Sequence, residues 1–195
     1  QRQMCIRDST RIEPLMRDSA FCADCHQFDD TTAVNSKPLQ NTYREWLDSP
    51  YAKRGISCQS CHMPNRAHLF RGIHDKDMVR QGLSISTQAT KSSVDLVVES
   101  TKIGHRFPTY SVARVRLTAT PYDATGRALH DGYRELVIQR LMSVEDGQWI
   151  ELSDTRLAPG ESVKLSMPTL INGTCADKIA LKIIVEPEWY YHNHV

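Results

Sequence analysis

The 195-residue sequence has no apolar run approaching the roughly 18 residues that a helix needs to cross a bilayer. Neither charge is in excess: 24 Lys and Arg stand against 23 Asp and Glu, a formal net charge of +1. The basic residues are spread along the chain, so nothing favours a nucleic acid or an anionic membrane surface as partner. A phosphate-cradling glycine loop is missing, as is any low-complexity segment. There is no set of nucleophile, histidine and carboxylate to mark covalent or acid–base catalysis. A secretory leader is also lacking. The chain begins at Gln1 and reads as a mature form or, preferably, an N-terminally truncated fragment. Residues 1–9, with Met4-Cys5-Ile6-Arg7-Asp8-Ser9, read as a non-native leader resembling a translated sequencing adapter, so Cys5 carries no weight.

What is present is concentrated in cysteine and histidine. Four of the six cysteines fall in two C-x-x-C-H units, Cys22-Ala23-Asp24-Cys25-His26 and Cys58-Gln59-Ser60-Cys61-His62. One backbone turn between paired cysteines matches the spacing of two vinyl groups on one porphyrin edge. The histidine next in line then reaches the iron from one face. The expected cofactor is therefore haem c, at least two per chain, with iron bound by His26 and His62 as proximal ligands. Two C-x-x-C pairs could also hold one zinc ion, but zinc requires no histidine directly after both. A redox dithiol is the other rival, and neither unit sits in an evident strand-to-helix turn. Cys175 reads as a free or buried thiol. Thioether attachment takes place outside the bacterial cytoplasm, which predicts a periplasmic or extracytoplasmic location.

Closed iron sites need distal ligands as well. His74 and His105 are the leading candidates, followed by His68. His68 and His74 follow the second motif in Asn65-Arg-Ala-His68-Leu-Phe-Arg-Gly72-Ile-His74-Asp75, where Gly72 permits close approach to a flat ligand and Asp75 is placed to fix a histidine tautomer. His105 is held in the turn Gly104-His105-Arg106-Phe107-Pro108-Thr109. His130 precedes Asp131-Gly132 and is expected in solvent; His192 and His194 lie in a terminal tail. Met63 directly follows His62 and cannot easily reach the opposite face of the same haem, and Met78 reads as core, so bis-His ligation is preferred over His–Met. Arg66, Arg71 and Arg106 flank the candidate ligands and are read equally as propionate partners or as solvated charges. Tyr43 and Trp46 are read as packing on a haem or as core.

The chain changes character near residue 85. A mainly helical, loop-rich haem-binding segment is expected over 10–88 and a β-domain over 89–195, an α+β chain. Ser19 is predicted to cap a turn into Cys22, and Thr42-Tyr43-Arg44-Glu45 to form a capping box. Ser49-Pro50 restarts a helix that Gly55 ends, and Asp75 caps one that ends at Gly82. Beyond residue 90, alternation at Val94/Leu96/Val98, Ala113/Val115/Leu117/Ala119, Val163/Leu165/Met167 and Ile179/Leu181/Ile183/Val185 marks strands. Turns fall at Asp123–Gly126, Asp146-Gly147 and Pro159-Gly160. Six or seven such strands suggest an antiparallel sandwich, immunoglobulin-like in outline.

Beyond the motifs themselves, Glu45-Trp46-Leu47-Asp48-Ser49, Gly55-Ile56-Ser57 ahead of Cys58, Met63-Pro64 after His62, the His68–Asp75 string and the Gly104–Thr109 turn resemble multihaem c-type cytochromes related to the tetrahaem electron carriers of nitrifying bacteria. The likeness spans most of residues 15–110. It implies closely stacked haems, mostly bis-His, that pass electrons between redox proteins such as quinol-linked or periplasmic cytochromes. It also implies His26 and His62 as proximal ligands with His74 and His105 as distal ones. One departure stands out: similar sequences often place a ligand histidine after Trp-x-x-Ser, where this chain has Tyr51. The expected role is electron transfer. The alternative is an oxidoreductase acting on a nitrogen or sulfur compound at an open iron, and a docking role for the β-domain is a third reading.

Overall fold

The computed structural model describes residues 14–67, 69 and 71–194; the leader expectation for residues 1–9, Cys5 and the candidate ligand His68 lie outside the described residues. The fold is α+β, with short helices first and antiparallel sheets after them. A 3-10 turn at Pro14–Arg17 precedes α1 (Ala20–His26). Then come α2 (Thr42–Asp48), α3 (Pro50–Lys53), α4 (Cys58–His62) and α5 (Lys76–Gly82). The strands are β1 (Leu83–Ala89), β2 (Ser93–Ser100), β3 (Arg114–Tyr122), β4 (Arg134–Ile138), β5 (Arg140–Glu145), β6 (Gln148–Asp154), β7 (Ser162–Pro168), β8 (Leu170–Ile171), β9 (Thr174–Cys175) and β10 (Lys178–Glu186), followed by α6 (Trp189–His194).

The helical breaks follow local chemistry. Ser49 accepts a hydrogen bond from Tyr51 N, with Pro50 at the first helical position of α3. Gly55 at φ +71° then turns the chain toward α4, which Ser57 caps through Ser60 N. Asp75 caps α5 by accepting from Asp77 N and Met78 N. Two expected caps are not formed. Asn41, not Thr42, precedes α2, and no side chain caps it; Thr42 is helical and its hydroxyl meets that of Thr109 at 2.6 Å. Ser19 leaves its own helix uncapped and instead accepts from Cys58 N at 3.0 Å. In both cases a partner distant in sequence outcompetes the local bond.

Strands β1-β2-β7 form one three-stranded sheet and β10-β3-β4 another, with β5-β6 and β8-β9 as separate hairpins. Leu96 and Val98 of β2, with Leu165 and Met167 of β7, meet Val115, Leu117 and Ala119 of β3 and Ile138 of β4 in one buried cluster. The arrangement is sandwich-like. Burying each large aliphatic side chain there contributes about 1.5–3 kcal/mol. The alternating segments expected to be strands are β2, β3, β7 and β10. Strand β1 was not legible, because Leu83 is its one buried residue and the other six are exposed.

Among the described residues, every buried hydrophobic side chain lies at position 83 or beyond. Helices α1 to α4 bury none of their residues. Leu15, Met16, Phe21, Phe28, Leu47 and Leu69 are all exposed, in the segment that carries the two motifs. That segment has apolar surface without an apolar core of its own side chains.

Charge fastens it to the β-part. Arg140, 1 % exposed, pairs with Glu151 at 2.7 Å and donates to the carbonyls of Pro38 (2.6 Å), Val34 (3.0 Å) and Lys37 (3.1 Å). Lys37 Nζ reaches Glu151 and Asp154, each at 2.8 Å. Arg156, also buried, grips Asp154 with two bonds and faces Glu45 of α2 at 3.6 Å. Burial opposes ionisation of Asp154 and of Glu151. For both carboxyls the surrounding bonds outweigh burial, those of Asp154 from Arg156 and Lys37, and hold them below the usual carboxylate range. Glu45 goes the other way, raised because burial exceeds the pull of Arg156. A depressed carboxyl adds stability above its unfolded pKa, about 4, and loses it as pH falls toward the folded value. The denaturant midpoint of the chain is therefore expected to hold near neutrality and fall below about pH 4. Asp154→Asn should flatten that fall; an unchanged acid profile in the variant would count against the network as its source.

Candidate functional site

The two C-x-x-C-H units form α1 and α4, and the structure sets them side by side. Besides the bond from Cys58 N to Ser19, Gln59 Nε2 donates to the carbonyls of Met16 (3.1 Å) and Asp18 (2.8 Å) ahead of α1. The thiols of Cys22 and Cys58 are in contact. Burial, with Cys58 as hydrogen-bonded neighbour, pushes the Cys22 thiol up to about 11. Cys61 is raised as well, by burial and then by Cys58. Cys25 and Cys61 are exposed, and Cys175 lies in solvent on β9. Thiols held protonated are poor partners for disulfide exchange, which disfavours a redox dithiol. Among the described residues no group of three or more His, Cys, Asp or Glu is placed to hold a metal ion. A zinc site built from both cysteine pairs does not match that geometry.

Two histidines do face each other. The rings of His62, at the end of α4, and His105 have centres 6.2 Å apart and planes 14° apart. His62 Nδ1 lies against the carbonyl oxygen of Arg71, and His105 Nδ1 against that of Arg106 at 2.9 Å. A carbonyl only accepts, so each Nδ1 carries the proton and each Nε2 presents a lone pair. That is the tautomer a metal-binding imidazole needs, fixed by its backbone partner. A metal–imidazole bond is about 2 Å long, so two imidazoles on opposite faces of one ion hold their ring centres about 6 Å apart. The spacing fits one ion, and among the described residues no third His, Cys, Asp or Glu joins the pair to complete a metal site. The other donors would have to arrive with the ion, as the four nitrogens of a porphyrin do.

His105 is held on three sides. A Cβ at Gly104 would stand 3.2 Å from Trp46 Cδ1 and 3.5 Å from Tyr51, so the loop seats closely against α2 and α3, and a side chain there would require Trp46 to give by a few tenths of an ångström. Arg106 N donates to Glu45 Oε2 at 3.0 Å. Phe107 exchanges both backbone bonds with Leu157, each at 2.9 Å. Loss of hydration, together with the neighbouring His62 and His26, lowers the His105 pKa to about 4 against the bond to Arg106, which acts to raise it. His105 thus stays neutral at ordinary pH, the form that ligates metal.

His26 sits near the pair, and its pKa is lowered by burial and by His62. No backbone carbonyl among the described residues holds its Nδ1. Tyr110 Oη lies 2.6 Å away and Gln40 Nε2 2.7 Å away, while Gln40 and Tyr110 contact each other at 2.9 Å. No second histidine among the described residues faces His26 as His105 faces His62.

The remaining expected site residues are placed elsewhere. His74 is two-thirds exposed, and its Nε2 lies 3.2 Å from Glu188 Oε1, beside a shallow depression of about 290 Å³ that Trp189 and His192 also line. Asp75, expected beside a histidine, is taken by α5 and by Arg71, whose Nη2 donates to it at 3.0 Å. Arg106 donates to the Arg156 carbonyl at 3.1 Å, and the side chain of Arg66 lies outside the described residues. His130 is exposed in a 3-10 turn. Tyr51, at the position where a ligand histidine was sought, donates its hydroxyl to Thr101 O at 2.7 Å. Tyr43 and Trp46 pack together, and Trp46 Nε1 donates to Ile56 O. The roles of Ser19, Gln40 and Tyr110 were not found in the sequence. Tyr110 offered one weak signal, its place five residues after His105; the carbonyls of Arg71 and Arg106 offered none, since every residue has one.

No family model and no curated protein matches the sequence. Among solved structures, the chain is similar to the crystal structure of a penta-heme cytochrome c552 from Thermochromatium tepidum, with a TM-score of 0.68 and 21% identity. The likeness is one of fold. It covers 91% of this chain and 50% of that one, so the chain spans about half the length of its structural neighbour.

Proposed function

We propose that this chain is part of a periplasmic multihaem cytochrome c that carries electrons between redox proteins. One observation carries the reading: His62 and His105 stand 6.2 Å apart with near-parallel rings, both locked by backbone carbonyls into the tautomer that presents Nε2 to an iron. Cys58 and Cys61 would hold one haem c by thioethers and Cys22 and Cys25 another, with His62 and His26 as proximal ligands and His105 as the distal partner of His62. The coreless helical segment supports this, because two covalent apolar plates would supply the interior that its own side chains do not. The segment 10–88 would form the haem-binding part and 89–195 the β-part that delivers His105. The fold likeness to a penta-heme cytochrome supports the same reading. No helix among the described residues is long and apolar enough to cross a membrane.

Bound haem supplies one-electron redox chemistry. The chain's task is to close the iron to solvent, hold both imidazoles at fixed orientation in both oxidation states and so limit rearrangement on electron transfer. His62 and His105 do this through rigid backbone partners rather than mobile side chains. His74 has its Nε2 on Glu188, so service as a distal ligand would require it to leave that partner. The iron on His26 would then be completed by His68, by a residue of another part of the protein, or by an external ligand. This last case is the oxidoreductase reading, which the missing partner of His26 keeps in play.

The test is expression in a host that matures c-type cytochromes. The expected result is a mass increase of two haems, a reduced spectrum of low-spin c type, and at most one carbon monoxide bound per reduced chain. Colourless protein, or carbon monoxide on both irons, would defeat the carrier reading as stated.

A further inference from the structure

The three histidines brought together here have unequal support. His62 and His105 each donate from Nδ1 to a backbone carbonyl, which no side-chain substitution removes. His26 alone has its Nδ1 on side chains, Tyr110 and Gln40, which also contact each other. As drawn, Gln40 Nε2 donates to both Tyr110 Oη and His26 Nδ1, so Nδ1 is an acceptor and Nε2 carries the proton. An imidazole in that state cannot ligate iron. Turning the Gln40 amide over exchanges its oxygen and nitrogen at almost no change in shape. His26 Nδ1–H then donates to Tyr110 Oη, Tyr110 O–H donates to Gln40 Oε1, and Nε2 is free. Both polarities use the same three side chains at the same positions.

We propose that Tyr110 and Gln40 are positioning residues that set the reduction potential of the His26 haem through the His26 Nδ1 proton, independently of the His62 haem. The inference rests on the cytochrome reading above. A strong acceptor at Nδ1 gives the imidazole more anionic character, which favours ferric over ferrous iron; a weak one does the reverse. The balance is simple: reduction adds one electron at the iron, no bond forms or breaks, and Nδ1 keeps its proton in both states. With the amide turned over, Nδ1–H faces two acceptors, Tyr110 Oη at 2.6 Å and the Gln40 oxygen at 2.7 Å, so a change at either side chain changes the acceptor strength that the imidazole meets. Gln40 is buried, 7 % exposed, so a change of its charge is felt at close range and with little screening.

Two substitutions should act with opposite sign. Tyr110→Phe removes an acceptor and should shift one of the two one-electron waves to higher potential. Gln40→Glu puts a carboxylate beside Nδ1–H and should shift the same wave to lower potential. Each is expected to change the reduced-to-oxidised ratio of that haem at fixed potential by about tenfold, equivalent to 59 mV for one electron. The second wave should move much less in both variants. Spectroelectrochemical titration of the haem-loaded chain and its two variants reads this directly, with haem content measured alongside. A merely structural role would move both waves the same way or not at all. Two loaded haems with waves indifferent to both substitutions, or displaced in one direction by both, overturn this inference alone. A wild-type chain that loads no haem overturns the cytochrome reading and this inference with it.

Discussion

His105→Ala is expected to raise the carbon monoxide bound per reduced, haem-loaded chain by one, from a wild-type value of zero or one. The argument is geometric. His105 is the single described residue whose ring faces His62 across a gap sized for one ion, and its Nε2 is free because Nδ1 is committed to Arg106. On the cytochrome reading, removing it would open one iron face and no other. The same haem should change from low-spin to high-spin in the oxidised spectrum and shift to higher potential by a tenfold or greater change in its reduced-to-oxidised ratio. His74→Ala is the control. With its Nε2 on exposed Glu188, His74 is expected to close no iron, and its loss should leave the carbon monoxide count unchanged. If His74→Ala raised the count and His105→Ala did not, the assignment of distal ligands would be reversed.

The second large effect concerns stability. Arg140→Ala is expected to destabilise the chain by about 3–5 kcal/mol, because it leaves buried Glu151 with Lys37 as its remaining charged partner and strips three carbonyls of their donor. Replacing both partners, Arg140→Met with Glu151→Leu, should be milder, since no unpaired charge is then left inside. Denaturant unfolding of the two variants gives the comparison; equal losses would show that packing rather than charge pairing dominates. The consequence reaches the site. The loop that Arg140 holds runs from Val34 to Pro38, two residues before Gln40, so Arg140→Ala should also broaden the redox wave of the His26 haem.

Much was readable from residue types because the signals are local. A C-x-x-C-H unit proposes its chemistry within five residues. Strands β2, β3, β7 and β10 alternate because one face of each meets the core, and Gly55, Gly126, Gly147 and Gly160 all take the positive φ that their turns require. Local signals failed where a distant partner won. Ser19 is a sound helix cap by sequence, yet it serves Cys58 N, 39 positions away. The Thr42–Glu45 box is dissolved because Glu45 has Arg106 N and Arg156 to satisfy. Strand β1 was missed because its short alternation, Leu83 and Ile85 against Ser84 and Ser86, is too polar to stand out, and at this edge only Leu83 is buried.

The sequence by itself determined the candidates for the cofactor chemistry: two cysteine pairs each running into a histidine, and a short list of further histidines. It could not rank that list, since candidacy depended on spacing, and His74 and His105 looked alike. Only the tertiary structure placed His105 across from His62 and His74 beside Glu188. The physical reason is that the free nitrogen of an imidazole is aimed by the partner of its other ring nitrogen. For His62 and His105 that partner is a backbone carbonyl, a group that every residue carries and that only the folded chain aims.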